Sequence, residues 1–113
     1  MIEQYDFGKM TVGGRSYTND LKIIDGRIIG DWWRKAGHRC EPEDMGDILA
    51  AKPTVVVIGT GYSGNMRVSN ALVGALKERR IRMIAEPTGK AKDTFNRLAG
   101  KDRQIAGAFH LTC

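Results

Sequence analysis

Val55-Val56-Val57-Ile58, bounded by Pro53 and Gly59, is the stretch that most restricts what this chain can fold into. Consecutive β-branched aliphatics favour an extended backbone and leave no polar face, so residues 54–58 read as a strand buried on both sides. The strand runs into a glycine loop, Gly59-Thr60-Gly61-Tyr62-Ser63-Gly64. A helix pattern and a second apolar strand follow, which makes it the first arm of a βαβ unit. A loop at the carboxyl end of such a strand is the usual place for a ligand.

The rest of the chain fits around that strand. At 113 residues it is expected to be a single domain, 1–113, with a core that needs no disulfide or metal. Residues 1–34 read as an antiparallel β meander, with turns at Gly13-Gly14 and Asp25-Gly26 and punctuation at Asn19-Asp20. Residues 35–113 read as the α/β part. Pro42, Glu43 and Asp44 suit a first helical turn, and Met45, Ile48 and Leu49 give that helix an apolar stripe. Ser69 is placed to cap a second helix facing inward through Leu72, Val73 and Leu76. Residues 81–85 form the next strand. Thr88 is read as the cap of a third helix striped by Ala91, Phe95, Leu98 and Ala99, and Gly100 as its stop. Residues 105–109 make a last buried strand. The fold class is therefore α/β: one three-layer domain with a small, mostly parallel central sheet, helices, and the N-terminal antiparallel meander as an extra layer.

No apolar run approaches the ~20 residues a membrane span needs, and the first residues carry acids without an apolar signal core. A cytoplasmic protein is expected, and its two cysteines, Cys40 and Cys113, are expected to stay reduced. From Lys77 to Arg103, nine basic residues face four acidic ones, a surplus equal to the whole net charge of +5. Solvated basic helix faces explain it. Nucleic-acid binding is not expected, because no binding motif or run of aromatics accompanies the charge.

Gly59, Gly61 and Gly64 match the dinucleotide glycine pattern formally, with Glu86 ending the next strand where a ribose-binding acid belongs. Asn65 to Val68 intervene before the Ser69 cap, however, and the chain has no room for a second mononucleotide half, so no cofactor is expected. A simpler anion site remains open. The loop amides, with the Thr60 and Ser63 hydroxyls, Arg67 and a nearby His110, could cradle a phosphate or carboxylate; a tight turn needing glycine is the plainer reading. Trp32 and Trp33 point to opposite sides of an extended chain, so one enters the core and the other, beside Arg34, could form a pocket or partner surface, with packing of a layer boundary the commoner role. His38-x-Cys40 and His110-x-x-Cys113 supply metal-type ligands, but at no standard spacing, and no metal is expected. Cys113 with His110 as its base lacks an identifiable third orienting group.

Trp32-Trp33-Arg34, Glu43-Asp44, Val57-Ile58-Gly59-Thr60-Gly61 and Phe109-His110-Leu111-Thr112-Cys113, in this order and spacing, resemble one small domain family. It runs from archaeal hypothetical proteins to the human adipogenesis-associated domain-containing protein, with a mitochondrial assembly factor for respiratory complex I as a distant relative. The resemblance implies a three-layer α/β fold and no established reaction, so no catalytic residues are assigned. The first functional expectation is a non-catalytic protein-interaction or assembly module, with a protein partner or a second copy of itself. The alternative is a binding protein or small enzyme for an anionic metabolite at the glycine loop 59–67.

Overall fold

The computed structural model describes residues 1–101 and 104–113; Asp102 and Arg103, part of the basic last third, lie outside the described residues. In chain order the strands are β1 (Ile2–Asp6), β2 (Lys9–Val12), β3 (Arg15–Tyr17), β4 (Leu21–Ile24), β5 (Arg27–Ile29) and β6 (Arg39–Cys40). A 3-10 turn, Pro42–Met45, leads into α1 (Gly46–Ala51), followed by β7 (Val55–Thr60), β8 (Arg67–Val68), α2 (Asn70–Glu78), β9 (Arg82–Glu86), α3 (Thr88–Ala99) and β10 (Ile105–His110).

The all-aliphatic β7 lies inside a five-stranded sheet of order β5-β4-β10-β7-β9, and all its residues are buried. β10, β7 and β9 run parallel, and β4 and β5 add an antiparallel margin. The front third thus splits. β1, β2 and β3 form a separate antiparallel sheet, while the hairpin around Asp25-Gly26 extends the central one. Both hinge on left-handed turn residues, with Gly13, Gly14, Asp25 and Gly26 all at positive φ.

Alternation along the strands divides the core in two. Val56, Ile58, Ala106 and Ala108 pack with Met45, Ile48, Leu72, Leu76 and Trp32 on one face. Val55, Val57, Ile105 and Phe109 pack with Phe95, Met10 and Val12 on the other, beneath α3 and the β1–β3 sheet. Helices α1 and α2 therefore cover one side of the sheet, and α3 with the small sheet covers the other. Asn96 on α3 joins the small sheet to the helix layer by hydrogen bonds to both the N–H and the carbonyl of Ile2.

Local signals act as their chemistry dictates. The Ser69 hydroxyl accepts the Leu72 N–H at 3.1 Å. Lys52 closes α1 in the left-handed region, ahead of Pro53. Thr88 does not cap α3, since Pro87 occupies that position and Thr88 is the first helical residue.

Candidate functional site

The parallel register pairs Thr60 with His110, so the glycine loop and the end of β10 share one rim of the sheet. The antiparallel partner β4 begins where β10 ends, with Leu21 opposite Phe109. Asp20, the residue before β4, is thereby set against His110 although 90 positions separate them.

The Asp20 carboxylate is the hub. One oxygen accepts from His110 Nδ1 at 2.7 Å and pairs with Arg34 Nη2 at 2.8 Å. The other accepts the Leu111 N–H at 2.7 Å. Burial raises the Asp20 pKa, but hydrogen bonds from His110, the Leu111 amide and Arg34 outweigh it and hold the carboxyl below its ordinary value. The two N–H groups of Arg34 Nη2 are taken by Asp20 and by the Gly37 carbonyl, 2.8 Å away. The proton shared by His110 and Asp20 therefore belongs to Nδ1, although Arg34 Nη2 also lies 3.0 Å from that nitrogen.

Arg34 is interior. Its side chain is 4% exposed and its guanidinium sits 4.6 Å from the centre of the Trp32 ring. Trp32 in turn donates its indole N–H to the Asp44 carbonyl at 2.9 Å. Among the described residues, two buried polar side-chain atoms lack a hydrogen-bond partner, Arg34 Nη1 and His110 Nε2. Both belong to this cluster.

The candidate partner surface drew on Trp32, Trp33 and Arg34. Trp32 is 4% exposed and Trp33 is 73% exposed, so the pair splits between core and solvent. Arg34 is drawn inward by Asp20, and only Trp33 is available to a partner.

Four of the loop amides expected to cradle an anion are engaged within the chain. The Gly61 N–H donates to Thr88 Oγ1, Tyr62 N–H to the Thr112 carbonyl, Gly64 N–H to the Gly61 carbonyl and Asn65 N–H to the Cys113 carbonyl. Two of the four, those of Tyr62 and Asn65, are taken by residues 110–113, which fold across the loop as a strap. Gly61 is needed for both conformation and space: its φ is +108°, and a Cβ there would lie 2.5 Å from the Thr112 carbonyl oxygen. At Gly59 the constraint is space alone, with Thr88 Oγ1 2.8 Å from a notional Cβ. Thr60 is buried at the end of β7, whereas Ser63 is exposed. Arg67 lies beyond the loop on β8, opposite Arg39. Glu86 is held by the Thr94 hydroxyl at 2.6 Å and by Lys90, so it is engaged within its own layer.

Sequence reasoning missed Asp20 and Thr88. Thr88 is fully buried and donates to the His110 carbonyl at 2.6 Å while accepting from Gly61, bracing the loop against the last strand. A threonine in a Pro-Thr-Gly helix start signals a cap, and only the tertiary contact reveals a strut. At the mouth of the cluster, one ring nitrogen each of exposed His38 and buried His110 and the sulfur of half-buried Cys113 lie within 4.8 Å of one another. Cys40 takes no part: it is buried, and desolvation followed by the Asp44 charge pushes its thiol up to about 12.

The chain belongs to a family described as a protein of unknown function (DUF498/DUF598), whose model matches residues 2–110. It is similar over 100% of its length to 99% of a conserved hypothetical protein of Pyrococcus horikoshii, at 25% identity and a TM-score of 0.85. An outer membrane protein of Bartonella henselae matches over 99% of this chain and 94% of its own, at 28% identity and a TM-score of 0.84. A Mth938-like domain of Bordetella pertussis shares the fold, with a TM-score of 0.65 at 16% identity over 97% of this chain and 84% of its own. No curated protein matches the sequence. The unknown-function family and the hypothetical Pyrococcus horikoshii protein agree with the part of the resemblance that points to an uncharacterised domain family; neither comparison carries its adipogenesis-associated or complex I names. Among the described residues no helix is long and apolar enough to cross a membrane.

Proposed function

We propose that this domain is a non-catalytic protein-interaction or assembly module whose contact face is centred on Phe7 and Tyr62. One observation carries the reading. The two rings are 59% and 58% exposed and stand edge to face, with centroids 5.6 Å apart. Large aromatics of this kind are the usual anchors of protein interfaces. Their loops are already held, since Gly8 N–H donates to the Leu111 carbonyl and Tyr62 N–H to the Thr112 carbonyl. A partner would therefore spend little free energy ordering them. Exposed Trp33 is a second anchor. The resemblance to the adipogenesis-associated domain and the complex I assembly factor supports the same class of function. The test is a photo-crosslinking residue at position 7 in living cells. Discrete adducts to one partner, or to a second copy of the chain, are expected, and Tyr62→Ser should abolish them. Adducts unchanged by Tyr62→Ser, or none at all, would reject this face. A cytoplasmic setting belongs to the same proposal and is supported by two unpaired thiols. Cell fractionation checks it, and recovery with outer membranes would overturn it.

A second reading, capture of a small anion beside Arg67, is favoured by one feature. Arg39 and Arg67 stand opposite each other in the β6–β8 ladder and line a cleft of about 310 Å³ with Ser69 and Asn70. Like charges in register repel unless something neutralises them, and Glu41 at 3.8 Å from Arg39 does so only in part. A melting temperature unmoved by millimolar phosphate or sugar phosphates would remove this reading.

A further inference from the structure

We propose that His38, His110 and Cys113 form a binding site for a borderline-soft divalent cation, of which zinc is the type, with Asp20 as the residue that orients His110. This goes beyond the interaction reading and stands independently of it. The ligand atoms already converge to within 4.8 Å, and the rings of His38 and His110 are 5.9 Å apart, edge to face.

The second observation concerns His110 alone. Its side chain is 7% exposed, its Nδ1 proton is committed to Asp20, and its Nε2 is buried with no partner. A buried ring nitrogen left without a partner is costly, and a metal ion is a partner that this nitrogen can take. A carboxylate holding one imidazole nitrogen so that the other faces a metal is the common outer-shell arrangement of histidine ligands. It fixes the ring's rotation and raises its basicity.

Ligand chemistry narrows the ion. Two imidazoles and a thiolate favour zinc and its late-transition neighbours over magnesium or calcium, which require oxygen. Three protein ligands leave a fourth position open in a tetrahedral site. Metal–nitrogen bonds of about 2.0 Å and metal–sulfur bonds of about 2.3 Å put two tetrahedral nitrogens and one sulfur roughly 3.3–3.5 Å apart. Closing from 4.8 Å requires a movement of about 1 Å. His110 is fixed by β10 and Asp20, so the movement falls to the side chains of exposed His38 and half-buried Cys113. Standard zinc spacing is absent from the sequence because the ligands come from two segments that the sheet rim brings together.

Arg34 does not forbid a cation here, because its charge is matched by Asp20 at 2.8 Å. Cys113 as a thiolate brings the compensating negative charge to the ion itself, and its proton leaves to solvent on binding.

The test uses the full chain without an affinity tag, titrated with cobalt(II) alone and then with zinc. One equivalent of cobalt is expected to give a thiolate-to-metal charge-transfer band and intense tetrahedral d–d bands, and zinc should bleach both. Cys113→Ser should abolish the charge-transfer band, and His38→Ala, at an exposed position, should weaken affinity at least tenfold without altering the fold. Asp20→Asn should weaken it about 10–100-fold, and Cys40→Ser should change nothing. A charge-transfer band that persists in Cys113→Ser, affinity untouched by His38→Ala, or no band at several equivalents of cobalt would each overturn the site.

Discussion

Replacing Asp20 by asparagine removes one charge and almost no volume, so it isolates what that charge does. Arg34 Nη2 and Asp20 Oδ2 are 2.8 Å apart, and at an effective dielectric constant of about 20 two unit charges at that distance attract by about 6 kcal/mol. Desolvation of both ions cancels much of this gain, so the intact pair adds little over an apolar pair of the same shape. Breaking it on one side is different. Arg34 cannot shed its proton, and with 4% exposure its charge would be left inside without a counter-ion. The expected loss is about 3–5 kcal/mol, out of a total stability of order 10 kcal/mol for a domain of this size, or a fall in Tm of roughly 12–20 °C. Urea unfolding followed by the fluorescence of Trp32, which lies under Arg34, measures it. The double variant Asp20→Asn/Arg34→Met removes the stranded charge and keeps an unbranched chain over the indole. It should recover most of the loss and lie about 1–2 kcal/mol below the parent. If Asp20→Asn costs under about 1 kcal/mol, or the two substitutions add within about 0.5 kcal/mol, the cluster is not a coupled ion pair and the reasoning fails.

Two further substitutions separate required glycine from dispensable glycine. Gly61→Ala puts a Cβ against the backbone of the 110–113 strap at positive φ and should cost about 2–4 kcal/mol in urea unfolding. Gly74→Ala, in mid-α2 with nothing within 4 Å of a new Cβ, should gain about 0.5–1 kcal/mol. In the metal-free native chain at neutral pH one thiol should react quickly with a disulfide reagent, and Cys113→Ser should remove that reaction. Cys40 should react only on unfolding, because burial pushes its thiol up to about 12. The same shift sets a pH dependence. The unfolded thiol ionises near 9.0 and the folded one near 12, so the stability that Cys40 contributes is present below pH 9 and declines as pH rises toward 12. Unfolding curves of Cys40→Ala between pH 8 and 11 should lack that part of the slope.

Much of the scaffold was legible because its causes are local. Four adjacent aliphatics have only one buried solution, and the structure places them inside the sheet. Ser69 precedes an apolar stripe and caps it, and the adjacent tryptophans divide between core and solvent. The candidate site was less legible. Asp20 reads as turn punctuation beside Asn19, since its partner is 90 residues away and only the β4–β10 pairing joins them. The glycines suggested a ligand cradle by composition, and nothing local reveals that Thr88 takes the Gly61 amide or that residues 112 and 113 take those of Tyr62 and Asn65. His38, His110 and Cys113 fit no linear metal motif, because linear spacing describes a site only when one loop or helix supplies neighbouring ligands.

The mixed character of the sheet explains why the charges meet where they do. In a wholly parallel sheet the neighbour of β10 would end at this rim, and the residue before it would lie at the opposite one. Because β4 is antiparallel, its first residue pairs near the end of β10, and Asp20 meets His110 at the edge that already carries the glycine loop. The antiparallel hairpin thus supplies the carboxylate that holds His110, while Glu86 at the end of β9 is engaged by Thr94 and Lys90. A cluster kept only to staple β4 to β10 could be replaced by apolar residues at little loss, and it would use all its own polar atoms. Among the described residues, this one leaves Arg34 Nη1 and His110 Nε2 without a hydrogen-bond partner. Of the two, His110 Nε2 is the atom that the proposed cation site would use.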